Sequence, residues 1–339
     1  MRRAWMIGAV AALVAGLASP AGAAERPWRT TDAPWGLWPQ NGLTDLAAAG
    51  PQDVWIAGFE GHACVPVGSS AFCSSNAIVR RWDGASWQNR NPPGVWNLEV
   101  RDLDAADSGD VWLSGEKGGE AYLARWDGSR WSRVEPPEPC RTASYLAVEA
   151  ADDGVWVSNG CLARWRDGAW TTYDAGAYVH TLYTVSDTEI WGAASLLGPF
   201  QSAVVRWDGD RWTRAELPDG YDNLLAGGPG GVWVEGPGKT ELMHYDGGGW
   251  TPVPKAPDST RYRAGDDGSL WAVGDTRSPG AVFSRFDGRE WRTTPVPART
   301  GTAERNRGGF DFTAIPGTGG GMYAVGTAPG GGALTMTNH

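Results

Sequence analysis

The fold is decided by Gly154-Val155-Trp156-Val157-Ser158-Asn159-Gly160-Cys161-Leu162-Ala163-Arg164-Trp165-Arg166-Asp167-Gly168-Ala169-Trp170. Three features follow one another: an apolar-Trp pair, an aromatic residue leading into Asp-Gly, and a further Trp just beyond that Gly. The same order recurs along the chain. The first feature reappears as Val54-Trp55, Val111-Trp112, Ile190-Trp191, Val232-Trp233 and Leu270-Trp271, with a degenerate copy at Met322-Tyr323. The second reappears as Trp82-Asp83-Gly84, Trp126-Asp127-Gly128, Trp207-Asp208-Gly209, Tyr245-Asp246-Gly247 and Phe286-Asp287-Gly288. The third is Trp87, Trp131, Trp212, Trp250 and Trp291 in the other copies. From Gly84 to Gly288 the steps between the Gly residues are 44, 40, 41, 38 and 41 residues.

Each unit reads as four strands. An inner strand is followed by a second strand carrying the apolar-Trp pair. A third strand ends in the aromatic residue. Asp-Gly makes a tight hairpin, where Gly tolerates positive φ, and a fourth strand begins at the last Trp. Four short strands repeated every ~40–45 residues are the signature of a β-propeller blade. The chain therefore predicts an all-β, seven-bladed propeller of four-stranded antiparallel blades, spanning residues 24–339. The last unit stops after its third strand. At the other end of the chain Pro27-Trp28-Arg29-Thr30-Thr31 matches Glu290-Trp291-Arg292-Thr293-Thr294. The N-terminal segment is thus expected to supply the outer strand of the seventh blade and close the ring.

Composition agrees. The 339 residues include 49 Gly and 21 Trp, a pairing that disfavours helices because Gly is poor in helix interiors. Seventeen of the Trp occupy repeat positions, where each can bury ~150–250 Å² between blades. In the mature chain Trp35, Trp38 and Trp96 lie outside the repeat.

Residues 1–23 read as a secretory signal, with Arg2-Arg3, a short apolar run and the Ala21-Gly22-Ala23 cleavage pattern. Their removal leaves 27 basic and 39 acidic residues, a net charge of −12. An acidic surface repels phosphate backbones, so nucleic acid is not an expected partner. No later stretch is long and apolar enough to span a membrane. The reading is of a secreted monomer. Four Cys in an exported chain point to two disulfides. Their placement favours Cys64 with Cys73, within the second-to-third loop of blade one, and Cys140 with Cys161 beside blade three.

The Val-Trp and Trp-Asp-Gly-x-x-Trp pattern resembles tectonin repeats and, over 154–165, the blades of periplasmic two-component sensor propellers. The Asp-Gly hairpin is similar to the Asp-box turn of sialidase-type propellers, without its Ser or its spacing. WD-repeat propellers share the Trp-Asp ending, but their Gly-His partner is missing. The resemblance implies a propeller. Activity has to be read from a site, because propellers host binders, hydrolases, lyases and scaffolds.

Strand order places the second-to-third and blade-to-blade loops on one face, the top. There the inner strands begin with Asp45, Asp102, Tyr145, Thr181, Asn223, Arg261 and Asp311, one step after Thr44, Arg101, Ser144, His180, Asp222, Thr260 and Phe310. Asp311, Asp45 and Asp102 stand on neighbouring blades, in the sector that also carries Trp35, Trp38, Trp96 and His62. Exposed Trp faces can stack on a sugar or peptide, and clustered carboxylates can hold Ca²⁺, the one cofactor the sequence suggests. Asp residues can equally cap strand starts, and Trp can pack beneath loops.

The candidate ligand-binding set is Trp35, Trp38, Trp96, Asp45, Asp102, Asp311, His180 and Arg261. The three Asp are also the candidate metal ligands. No residue is assigned a catalytic role, since neither a zinc motif nor a Gly-x-Ser-x-Gly elbow is present. The function expected is non-catalytic recognition of an extracellular glycan or protein on the top face. The alternative is an extracellular glycoside hydrolase, lyase or lactonase on the same scaffold. A thiol titration of the denatured, unreduced protein is expected to find no free thiol; four would end the disulfide assignment.

Overall fold

A computed structural model describes residues 26–34, 36–107, 109–141, 143, 146–151, 154–196, 201–256, 259–274, 282–295, 310–327 and 332–339. They form seven four-stranded antiparallel sheets, arranged as the blades of a propeller. Blades one to six each take four consecutive strands, beginning with Gly42–Gly50, Leu98–Asp107, Ala147–Ala151, Tyr178–Ser186, Asn223–Gly228 and Ser259–Ala264. Blade seven joins Asp311–Ala314, Met322–Thr327 and Ala333–Thr337 to Arg29–Thr31 from the other end of the chain. Arg29 pairs with Thr337 and Thr31 with Thr335, so the N-terminal strand closes the ring as the sequence predicts. The signal-like residues 1–23 lie outside the described residues.

The repeat acquires a physical meaning at the blade interfaces. The Trp of the apolar-Trp pair is buried and, in blades one, three and four, packs on the aromatic pair flanking the next blade's Asp-Gly hairpin. Trp55 meets Trp126 and Trp131 at 5.3 and 5.8 Å, Trp156 meets Trp207 and Trp212 at 5.2 and 5.3 Å, and Trp191 meets Tyr245 and Trp250 at 5.5 and 6.1 Å. These edge and tilted geometries suit the ring quadrupoles. Within each hairpin the two aromatics are direct cross-strand partners, as in Trp126 with Trp131.

The residue before the aromatic-Asp-Gly covers the same blade's Trp. Arg81 lies over Trp55 at 5.4 Å, Arg125 over Trp112 at 5.6 Å and Arg206 over Trp191 at 5.3 Å. An acid just ahead of the apolar-Trp pair holds each of these guanidinium groups: Asp53 on Arg81 and Asp110 on Arg125, both at 2.7 Å, and Glu189 on Arg206 at 2.9 Å. In blade five His244 replaces the Arg and stacks flat on Trp233, 4.4 Å between centroids.

The hairpins are built on Asx-turns. Asp83 Oδ1 accepts the amides of Ala85 and Ser86 at 3.0 and 2.8 Å, and Gly84 follows at φ 91°. Outer-strand indoles then tie neighbouring blades: Trp131 Nε1 donates to Arg90 O at 2.6 Å and Trp170 Nε1 to Glu135 O at 2.9 Å.

Ring closure uses the same contacts. Trp28 is buried, stacks on Phe283 of blade six at 3.7 Å and meets Trp271 edge-on at 6.0 Å. Trp28→Ala is expected to cost about 3–5 kcal/mol. Deleting residues 25–33 is expected to lower Tm at least as far, read by calorimetry; an unchanged melting curve for the deletion would count against closure by this strand.

Candidate functional site

The inner strands face the central channel, and their polar side chains reach across to the next blade. Asp102 Oδ2 accepts the amide of Val148 at 2.8 Å, and Asp104 Oδ2 that of Ala150 at 2.6 Å. Glu149 Oε1 accepts the amide of Thr184 at 2.6 Å, and Tyr183 donates to Leu225 O at 3.2 Å. Arg261 Nη1 donates to Phe310 O at 2.9 Å, and Arg263 Nη2 to Asp311 Oδ1 at 3.0 Å. An inner strand has one edge unpaired within its own sheet, and these side chains satisfy it. Of the mouth Asp residues, Asp102 thus serves the next blade's backbone and Asp311 holds Arg263.

Asp45 is the exception. Its Oδ1 accepts the amide of Leu46 at 2.8 Å, and its carboxyl lies in hydrogen-bonding reach of the Asp311 and Asp102 carboxyls. Burial, with Asp102 and Asp311 close by, raises its pKa well above the usual carboxylate range. Burial also raises Asp102 to about 7 and Asp104 to about 6, against the opposing pull of the backbone amides. Glu149 is raised for the same reason, with Asp104 adding repulsion. Arg263 sits among these acids, and Asp311 is the chief reason its pKa is held above the ordinary arginine value.

The residues expected to hold Ca²⁺, Asp45, Asp102 and Asp311, stand on the inner strands of neighbouring blades. Among the described residues, the one group of three or more His, Cys, Asp or Glu ligand atoms lying within 4.8 Å of one another is His62, Cys64 and Cys73, whose sulfurs are joined to each other. Ca²⁺ needs six to eight oxygens around one point; in this structure Asp102 also accepts the amide of Val148, and Asp311 also accepts from Arg263.

The top of blade one carries the feature that sequence reasoning underestimated. Its second and third strands, Asp53–Val67 and Ser70–Trp82, run past the blade as a long hairpin arm. Cys64 and Cys73 are direct cross-strand partners within this arm and are disulfide-bonded, so the segment expected to be a loop is paired strand. The second pairing, Cys140 with Cys161, also forms as expected, between a short 3₁₀ turn and the second-to-third loop of blade three.

Chain segments on both sides brace the base of the arm. Gly61 N donates to Pro39 O at 3.1 Å and His62 N to Gln40 O at 3.2 Å; on the other edge Ala77 N donates to Val95 O at 3.0 Å and Asn97 N to Ser75 O at 2.9 Å. Trp38 and Trp96 belong to these bracing segments, 61% and 59% exposed on opposite edges of the arm. Gly61, at φ 63°, lets Trp38 lie against it, since a Cβ there would stand 3.2 Å from the indole ring. Trp35 lies outside the described residues.

Between the arm and blade two is a cleft of about 760 Å³. Phe59, His62 and Phe72 line one side, with Glu99, Arg101 and Glu116 on the other. Arg101 pairs with Glu99 at 3.0 Å and approaches Glu116 at 3.8 Å. Of the residues read from sequence, Thr44, His62 and Arg101 line this cleft; Trp38 and Trp96 flank the arm without lining it. His180 is on blade four, where its Nε2 lies 2.7 Å from Ser195 Oγ and its ring 4.9 Å from that of Tyr178. Phe72, Glu99 and Glu116 were missed. The signal for the arm was present: residues 61–79 contain no Asp, Glu, Lys or Arg in a chain that is 20% charged.

No protein-family model and no curated protein matches this sequence. Solved structures do match in fold. YCF48 bound to D1 peptide aligns at TM-score 0.58 and 15% identity, covering 92% of this chain and 96% of that one. A lectin from Burkholderia pseudomallei aligns at 0.56 and 13%, covering 86% and 94%. A xyloglucanase from Xanthomonas campestris aligns at 0.53 and 16%, covering 91% of this chain but 53% of that one. At such identities the likeness establishes the β-propeller and nothing finer. A tectonin or sensor type of repeat finds no counterpart in these matches.

The buried carboxyls make stability depend on pH. A carboxyl whose folded pKa lies above its unfolded value of about 4 keeps a proton on folding that the unfolded chain gives up. Its contribution is complete below about pH 4 and is lost as pH rises towards about 7, the value for Asp102. Tm is therefore expected to fall between pH 5 and pH 8, and Asp102→Asn with Asp104→Asn is expected to flatten that slope. A pH-independent Tm in the wild type would remove the effect.

Proposed function

We propose that this protein is a non-catalytic recognition module of the extracytoplasmic space, taking a peptide or glycan segment in the top-face cleft between the arm of blade one and the start of blade two. The observation that carries the reading is the chemistry of the cleft walls. Exposed aromatic and apolar side chains stand on a rigid, disulfide-stapled hairpin, opposite the Glu99–Arg101–Glu116 group. A concave surface with an aromatic wall and a few placed polar groups suits ligand capture. Asp102, Asp104 and Glu149 are engaged in joining blades, which favours the cleft over the channel in this reading.

Export is part of the same proposal. The signal-like residues 1–23 and the two disulfides fit an oxidising compartment. Among the described residues no helix is long and apolar enough to cross a membrane. Peptide-bound and lectin propellers among the fold neighbours are compatible with a binding module. Trp35, Trp38 and Trp96 are proposed as flanking contacts for a ligand longer than the cleft.

Parallel peptide and glycan arrays, probed with wild type and with Phe72→Ala, test the reading. The exposed ring can be removed with little change in Tm, and binding to whichever class is retained is expected to fall at least tenfold. Binding that survives Phe72→Ala and Glu116→Gln together, or silence on both arrays, would overturn the assignment of this cleft.

A further inference from the structure

Building on that reading of the cleft, we infer that its ligand is an extended polypeptide segment, added as a further β-strand to the free edge of the arm at Ala71–Cys73, with a lysine or arginine directed to the Glu99–Glu116 side.

The register of the arm supplies the edge. On the strand Ser70–Trp82, odd-numbered residues turn their backbone groups away from the partner strand. Val79 O accepts Arg90 N at 3.0 Å, Ala77 N donates to Val95 O at 3.0 Å, and Ser75 O accepts Asn97 N at 2.9 Å. Continuing the period of two, Ala71 and Cys73 present their N–H and C=O groups in the same direction. The Cα–Cα distance of 4.0 Å between Cys64 and Cys73 agrees, because non-hydrogen-bonded antiparallel pairs are the closer ones. Among the described residues, nothing hydrogen-bonds Ala71 or Cys73 on that side. The chain that covers the edge lower down leaves it at Asn97, whose φ of 52° turns it away into the inner strand of blade two. The cleft opens where the chain departs: Phe72, Cys73, Ser74 and Ser75 line one side, and Asn97, Leu98, Glu99 and Val100 the other.

The two edges of the arm differ. On the opposite strand, Asp53–Val67, Pro66 pairs with Ala71 and turns its missing N–H outward, which blocks strand addition there. The Ala71–Cys73 edge carries neither Pro nor charge. Exposed edges of soluble proteins are ordinarily blunted by one or the other, so an open edge beside a cleft marks a place for a partner strand. Segment 95–97 already adds itself to the same edge in this way, which shows that the edge accepts a short strand.

The walls set the ligand's side chains. In an added strand, successive side chains alternate in direction. Val65 and Phe72 are cross-strand partners and exposed, at 62% and 61%, so one face of the arm offers an apolar surface for alternate residues. Glu99 and Glu116 against the single Arg101 leave one net negative charge, on a chain of net charge −10. A cationic side chain in an alternating apolar segment complements both. Main-chain bonds would hold such a ligand, and the two walls would select it.

The test is a displayed library of random decapeptides, panned on the full chain and on Ala71→Pro. That substitution removes an outward N–H at a position paired without hydrogen bonds and fixes its φ; Tm and thiol titration establish whether fold and disulfide are retained. The expected result is enrichment of peptides alternating apolar residues with Lys or Arg. These should bind Ala71→Pro at least tenfold more weakly, bind Ala71→Val normally, and weaken on N-methylation of alternate backbone amides. Peptides that bind Ala71→Pro as well as wild type but lose affinity with Glu116→Gln would overturn strand addition and leave the cleft standing. Absence of any enriched peptide would overturn the peptide ligand, and a positive glycan array would then keep the recognition reading alone. Should Ala71→Pro unfold the arm, peptides N-methylated at successive alternate amides decide the matter on the wild type, equal binding refuting strand addition.

Discussion

The packing of one tryptophan from each blade onto the aromatic corner of the next is the contact on which this propeller depends. A single four-stranded sheet has two apolar faces and cannot bury either alone. The apolar-Trp residue is the knob, and the aromatic pair around the neighbouring Asp-Gly hairpin is its socket. The Arg that covers the knob, and the acid that holds the Arg, keep the indole in one orientation. Several of these indole N–H groups, including those of Trp55, Trp112 and Trp156, have no hydrogen-bond partner among the described residues. Dispersion, apolar burial and the cation above the ring therefore hold the knob. The six-fold recurrence of one arrangement, with His244 standing in for Arg in blade five, explains why the repeat tolerates so much variation elsewhere.

The channel solves a second problem created by the same architecture. Every inner strand leaves a backbone edge facing the axis. Asp102, Asp104, Glu149, Tyr183 and Arg261 reach across to the neighbouring blade and satisfy part of that edge. The cost is a group of acids crowded around the axis, whose pKa values burial raises, with Arg263 among them. The acids at the centre of this propeller thus take part in its construction.

The departure from repetition lies on the top face. Blade one extends its second-to-third hairpin into an uncharged arm braced on both edges and stapled at Cys64–Cys73. Symmetric contacts serve the ring, and the asymmetric arm is the feature free to serve a ligand. Its position beside Glu99, Arg101 and Glu116 gives one cleft both an apolar and a charged wall.

Blade number, strand order, ring closure by residues 29–31 and both disulfide pairings were legible in the sequence, because each rests on a pattern local to one repeat or on the register between repeats. The sector of interest was legible too: Thr44, Arg101 and His62 belong to it. In the next row of inward side chains, Asp104, Tyr183 and Arg263 lay two residues beyond Asp102, Thr181 and Arg261 and were accessible to the same period-two reasoning, whereas Glu149 lay four beyond Tyr145. What tertiary structure alone decided was the partner of each polar group. That Asp102 reaches the amide of Val148, and that residues 61–76 form a paired arm with one open edge, depends on distances between blades. Those distances come from the packing of rings far apart in the chain, which residue order alone leaves unspecified.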